Sequence, residues 1–133
     1  MNSFITITSQ NNFETTCNTI KDIIANNENL TLIGDLAHHK NANRVGLTLR
    51  PTHLFLFGNP NMGTPLMKES TTIAIDLPQK IVVWENEKKE INISYNAPKY
   101  LAERHGITKN LHIIEKVAMA LKHMAEKAAS AQP

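Results

Sequence analysis

Residues Leu54 to Leu77 read LFLFGNPNMGTPLMKESTTIAIDL, and the way this stretch folds decides the architecture of the chain. Leu54, Phe55, Leu56 and Phe57 form an uninterrupted apolar run, short enough for a strand buried on both faces. Gly58-Asn59-Pro60 stops that strand, because Gly and Asn tolerate positive φ and Pro cannot continue a ladder. Gly63-Thr64-Pro65 then predicts a helix start, with Thr64 as N-cap and Pro65 at N1, where its missing N–H costs nothing. A helix N-terminus behind a glycine-bearing loop offers free N–H groups and partial positive charge, which suits a small anion. The favoured reading is that the same residues simply turn a corner, since most strand-to-helix corners bind nothing. The stretch lacks the Gly-Lys-Ser/Thr ending of a phosphate-binding P-loop, and no Ser sits between its glycines as in a nucleophile elbow.

Working outward, Phe4, Ile5 and Ile7 predict a first strand, and Phe13, Cys17, Ile20 and Ile24 recur at helical spacing. Leu30, Leu32 and Leu36 predict a second strand with Gly34 as a bulge, followed by a short helix over 41–45 closed by Gly46. Downstream, Ile81 to Trp84 and Ile91 to Tyr95 read as strands joined by a polar turn at Glu87 to Glu90. Asn96-Ala97-Pro98 predicts a helix start with Asn96 as N-cap, closed by Gly106. Leu111 to Ser130 forms the longest helix, striped by Ile114, Val117, Leu121, Met124 and Ala128. These elements predict a two-layer α+β fold: a mostly antiparallel sheet of about five strands with helices mainly on one face.

The segments FGNPNMGTPLM, IAIDLP, VVWE and ISYNAPKYLAERHGI, preceded by HHKNANRVGLTLRPTHLFLFGNP, resemble the bacterial and archaeal domain-of-unknown-function family 302. The resemblance covers Phe4 to Ile107, more loosely from Asn11 to Leu36, and leaves residues 108–133 as a C-terminal helical extension packed on the same domain or on a partner. It implies a small α+β domain, often a dimer, with no established reaction. The family's hallmark positions fall on His38, Phe57, Gly58, Asn59, Pro60, Gly63, Thr64, Pro65, Asp76, Leu77, Pro78 and Tyr95.

A chain of 133 residues makes one domain with a single core. Its net charge of +2, with scattered basic residues and few aromatics, argues against a nucleic-acid or anionic-membrane partner. The single cysteine, Cys17, excludes an internal disulfide and lies on a helix core face as a small hydrophobe. No basic n-region precedes the first strand and no window reaches membrane-span length, so a cytoplasmic protein is expected.

Six histidines raise the question of a metal, but spacing opposes it. His38 and His39 are adjacent and point apart, while His112 and His123 stand on the order of 16 Å apart along one helix. Met62 and Met67 are soft donors, yet at helix-core spacing they read as packing, and no metal or other cofactor is expected. Ser70 and Ser94 lack any motif for nucleophilic catalysis, and His105 reads as a helix C-terminal cation. His38, at a strand end, can act as acid, base or ligand, or can cap the helix behind it. Asp76 in its apolar setting either accepts backbone N–H bonds in a turn or is a perturbed acid, and Tyr95 is either a core hydroxyl or a ligand contact. The sequence therefore supports a non-catalytic domain that binds or senses a small ligand, an anion among the candidates, through His38, Asn59, Gly63, Thr64, Asp76 and Tyr95. Two alternatives stay open: a small-molecule enzyme using His38 and Asp76 for proton transfer, and a structural dimerisation module. A homodimer is expected, with the alanine-rich 111–130 helix either burying its stripe against a partner or against its own sheet.

Overall fold

A computed structural model describes residues 2–131. Its strands are β1 (Phe4–Thr8), β2 (Thr31–Ala37), β3 (Thr52–Gly58), β4 (Gln79–Glu85) and β5 (Ile91–Asn96). Its helices are α1 (Phe13–Ala25), α2 (His38–Arg44), α3 (Pro60–Glu69), α4 (Pro98–His105) and α5 (Leu111–Ala129), with a 3-10 segment over Thr71–Asp76. The strands form one antiparallel sheet in the order β1-β5-β4-β3-β2, which is the expected α+β architecture. The predicted bulge is present: the β2–β3 register shifts between Leu32 and Gly34.

The period-two alternation of the strands sorts their side chains cleanly. Phe55, Phe57, Ile81, Val83, Ile93 and Tyr95 face the helices and are buried. The opposite face carries Leu54, Leu56, Val82 and Trp84 and has no helix over it, each of these residues being half-buried. The run from Leu54 to Phe57 is therefore buried on one face only. Its apolar outer residues reflect an uncovered sheet surface instead of a second helical layer.

Helix α1 is capped by Asn12, whose side chain accepts from the Thr15 N–H, and it buries Cys17, Ile20 and Ile24. Helix α5 packs on α1 and α4 and against β1 and β5. Its stripe of Ile114, Val117, Leu121, Met124 and Ala128 is buried in the chain's own core. That covering leaves the stripe unavailable to a partner. Helix α4 starts one residue later than the Asn96 cap predicts: Asn96 completes β5, Ala97 takes the N-cap position with no side-chain bond, and Pro98 sits at N1. Gly106 closes α4 at φ 69°, a left-handed position that favours glycine.

The largest departure concerns α3. It begins at Pro60, with Asn59 as N-cap accepting from the Asn61 N–H, so Gly63, Thr64 and Pro65 lie inside the helix. Two Asx/Thr-plus-Pro signals compete here, and the earlier one wins because Asn59 ends β3 directly and its Pro60 is preset for the first turn. The Met62 and Gly63 amides already donate to the Asn59 carbonyl. An anion site at a Gly63-Thr64-Pro65 helix start therefore has no free amides to be built from.

Because α5 supplies so much of the core, a chain truncated after Gly106 is expected to lose cooperative unfolding in a urea titration. The milder Leu121→Ala, at a site 2% exposed, should cost about 2–5 kcal/mol in the same measurement.

Candidate functional site

The end of β3, one side of α3, the α1–β2 loop and part of α5 line a cavity of about 640 Å³. Phe57, Leu66, Leu121 and Met124 form its floor from the buried core, and Met62, Met67, Leu30 and Leu77 its walls. Asn27, Asn29, Asn59, Thr64, Gln79 and His123 bring the polar atoms. Among the described residues lining it there is no Lys, Arg, Asp or Glu, and His123 is the one titratable side chain. Three thioethers, from Met62, Met67 and Met124, line this one space and give it walls that can adjust to an occupant. An added Cβ at Gly63 would meet Leu77 Cδ1 at 3.6 Å and Met67 Cε at 3.8 Å, ordinary packing distances along the wall.

Of the residues expected to share a site, Asn59, Gly63 and Thr64 line this cavity, and His38, Asp76 and Tyr95 do not. His38 follows Ala37, the residue paired with His53 at the start of β3. Asp76 lies just before Gln79, which pairs with Phe57 at the other end of β3. Those two positions on β3 are separated by four residues, or ~14 Å of strand. His38 and Asp76 therefore stand at opposite ends of the sheet and face no common space.

Each of the three has a local setting. The His38 side chain makes no hydrogen bond among the described residues; its neighbour His39 does, accepting the Thr52 N–H at Nδ1 (3.0 Å) with its ring edge-on to Phe13. Asp76 accepts both from Arg104 Nη1 (3.1 Å) and from His105 Nε2 (2.5 Å), and His105 Nδ1 meets the Thr72 hydroxyl at 2.9 Å. The carboxylate thus binds side chains of α4 and not the backbone amides of a turn, and His105, 5% exposed, is an interior link to it more than a helix-end cation. Tyr95 lies in the core, where burial first and the charge of Glu126 second push its phenol up from the ordinary value. Burial likewise pushes the Cys17 thiol up to about 12, which fits an inert hydrophobe. Among the described residues no group of three or more His, Cys, Asp or Glu could hold a metal ion.

One polar feature was not legible beforehand. Glu69, at the end of α3, accepts the backbone N–H groups of Thr108 (2.7 Å) and Lys109 (2.9 Å) and the Asn110 side-chain amide (2.7 Å). It ties the cavity's α3 wall to the start of α5. These backbone bonds hold its carboxyl down at about 2.

The profile of the family described as Domain of unknown function DUF302 matches residues 5–128. The chain belongs to this family. The match runs through α5, so the boundary expected at Ile107 is not an edge of the DUF302 domain. A crystal structure of an uncharacterized conserved DUF302 protein from Bacillus stearothermophilus superposes with a TM-score of 0.85, covering 98% of this chain and 100% of that one. At 14% identity that likeness speaks for the DUF302 fold alone. Two proteins named Fluoride-specific ion channel FluC 1, from Brucella suis biovar 1 and Brucella abortus biovar 1, are each 41% identical over 70 residues, 53% of this chain. The chain spans only 28% and 26% of their lengths. No helix among the described residues of the DUF302 chain is long and apolar enough to cross a membrane.

Two outcomes are expected from this geometry. Asn59→Ala should lower stability by about 1 kcal/mol in chemical denaturation through loss of the cap, whereas Thr64→Ala, inside the helix and without a cap bond, should not. Glu69 has a folded pKa of about 2 against an ordinary 4.5, so its contribution is fully present above pH 4.5 and is lost as pH falls through that window. Thermal melts of Glu69→Gln between those pH values should accordingly show a flatter decline than the parent chain.

Proposed function

We propose that this DUF302 chain is a non-catalytic domain that binds a small, uncharged and mainly apolar molecule in the cavity between α3 and α5. The observation that carries the reading is the lining itself: about 640 Å³ of apolar wall with a few amides and no formally charged side chain. That size and chemistry fall in the usual range of small-molecule pockets, roughly 300–1,000 Å³ with few polar groups. Asn59 and Thr64 would orient the ligand from α3, and Gly63 would leave it room. His38, Asp76 and Tyr95 have no part in it. An anionic ligand is not favoured, since no Lys or Arg lines the space among the described residues.

The two channel relatives support a sensing use of such a ligand. In them the matched stretch is about a quarter of a protein named for ion conduction. This chain, with no helix among its described residues fit to span a bilayer, resembles a domain attached to that conducting part. A proton-transfer enzyme gains nothing from the arrangement, because His123 is the one titratable group among the described lining residues and it sits on an exposed stretch of α5.

Titration with the neutral fluorophore N-phenyl-1-naphthylamine tests this reading. The parent chain should bind it with a Kd on the order of micromolar, about −8 kcal/mol. Ala120→Trp, which fills the rim from an exposed helix position, should weaken binding by about tenfold or more, at least 1.4 kcal/mol, with the thermal transition unchanged. Absence of binding, or displacement of the probe by fluoride, sulfate or phosphate, would overturn the proposal.

A further inference from the structure

The cavity between α3 and α5 is graded from floor to mouth. Phe57, Leu66, Leu121 and Met124 on its floor are buried, and Leu30, Met62, Met67 and Leu77 on its walls are half-buried. The polar residues collect where solvent reaches: Asn27, Asn29, Thr64 and His123 are exposed, and Asn59 and Gln79 half-buried. Phe57 is the one Phe, Tyr or Trp among the described lining residues, so a flat heteroaromatic molecule has no pair of rings to lie between. Leucine and thioether walls fit an alkyl chain instead. Such a chain gains from burial and contact alone, and methionines adjust to its bends.

The amides at the mouth have a fixed polarity. Asn59 Oδ1 accepts the Asn61 N–H (3.1 Å), and Asn27 Oδ1 accepts the Asn29 N–H (2.9 Å). A backbone donor fixes which way each carboxamide points, so each of the two residues has its NH2 group left to offer. Neither NH2 group has a partner among the described residues. What they fit is an oxygen acceptor. A carboxylate there would leave water with no Lys or Arg lining the space to meet it, and an ammonium would face donors. A carbonyl or hydroxyl oxygen carries neither cost. On the small-molecule reading above, we infer that the ligand of this cavity is a single-chain neutral amphiphile. Its alkyl chain lies on the floor of Leu66, Leu121 and Met124, and its carbonyl or hydroxyl oxygen faces the Asn27 and Asn59 amides at the mouth.

Displacement of N-phenyl-1-naphthylamine by N-alkylacetamides, from hexyl to dodecyl, tests this. Affinity should rise about fourfold for each added methylene until the chain reaches the floor. At decyl length the acetamide should bind about tenfold or more tightly than decanoate or decyltrimethylammonium, whose charges go unmet. Asn59→Asp keeps an oxygen for the Asn61 N–H, and Asp caps a helix as well as Asn does, so the thermal transition should hold. The change replaces an NH2 donor with a charged acceptor. It should lower the preference for decylacetamide over decyltrimethylammonium by about tenfold or more. The fluorophore carries no carbonyl or hydroxyl, so its binding to the parent chain reports on the apolar space alone. If it binds, but its displacement is indifferent to chain length or to the charge of the head group, the amphiphile is wrong and the small-molecule reading stands. An unshifted head-group preference in a folded Asn59→Asp chain would also overturn the amphiphile. A parent chain that does not bind the fluorophore removes both.

Discussion

Helix α5 lies across α1 and the inner side of β1 and β5, and the burial of its stripe is what turns a five-stranded sheet into a closed core. A sheet of this kind presents one apolar row per strand, and α1 alone reaches mainly β2, β3 and β4. Without α5, Ile93 and Tyr95 on β5 and Ile7 on β1 would look into water. Full burial of even three such side chains is worth several kcal/mol, roughly 1.5–3 each, a large part of a domain's net stability. The Glu69 carboxylate, held to the backbone ahead of α5, registers the start of that helix against the end of α3. The cavity sits between these two helices, so the interaction that closes the core also shapes the pocket.

The same one-sidedness explains the character of both sheet faces. Every strand connection is antiparallel, and no helix crosses to the outer face. The outer face is therefore left with apolar residues that no helix covers, some of them facing each other across strands, as Leu54 does with Val82 and Leu36. The inner face has the opposite character. There the register shift between Leu32 and Gly34 and the exit of β3 into α3 lie at the end of the sheet where the pocket opens.

Hydrogen bonds around Asp76 show how a residue that looks functional in sequence can be engaged structurally. Its two oxygens are occupied by Arg104 and His105, and Thr72 completes the chain through His105. The network fastens the 3-10 segment to the end of α4. Local sequence around Asp76 holds no hint of this, because its partners arrive from twenty-eight and twenty-nine residues away.

Much of the fold was legible in sequence, because strands and helices announce themselves through local periodicity and the terminal residues that stop them. The alternation at Ile91 to Tyr95, the stripe from Ile114 to Ala128, the glycine after His105 and the bulge beside Gly34 are all short-range signals. Three residues that the sequence singled out do line the cavity, Asn59 as the cap of α3 and Gly63 and Thr64 inside that helix. The start of α3 was not, since Asn59-Pro60 and Thr64-Pro65 are near-equal local signals and only the exit direction of β3 selects between them. Nor was the rest of the lining, for Leu30, Leu121 and Met124 meet Leu66 only when α1, α3 and α5 converge. Whether His38 could reach Asp76, and whether the α5 stripe would face its own sheet or a neighbour, are distances through space. Spacing along the chain carries no information about them; the packing of two helices on one side of the sheet does.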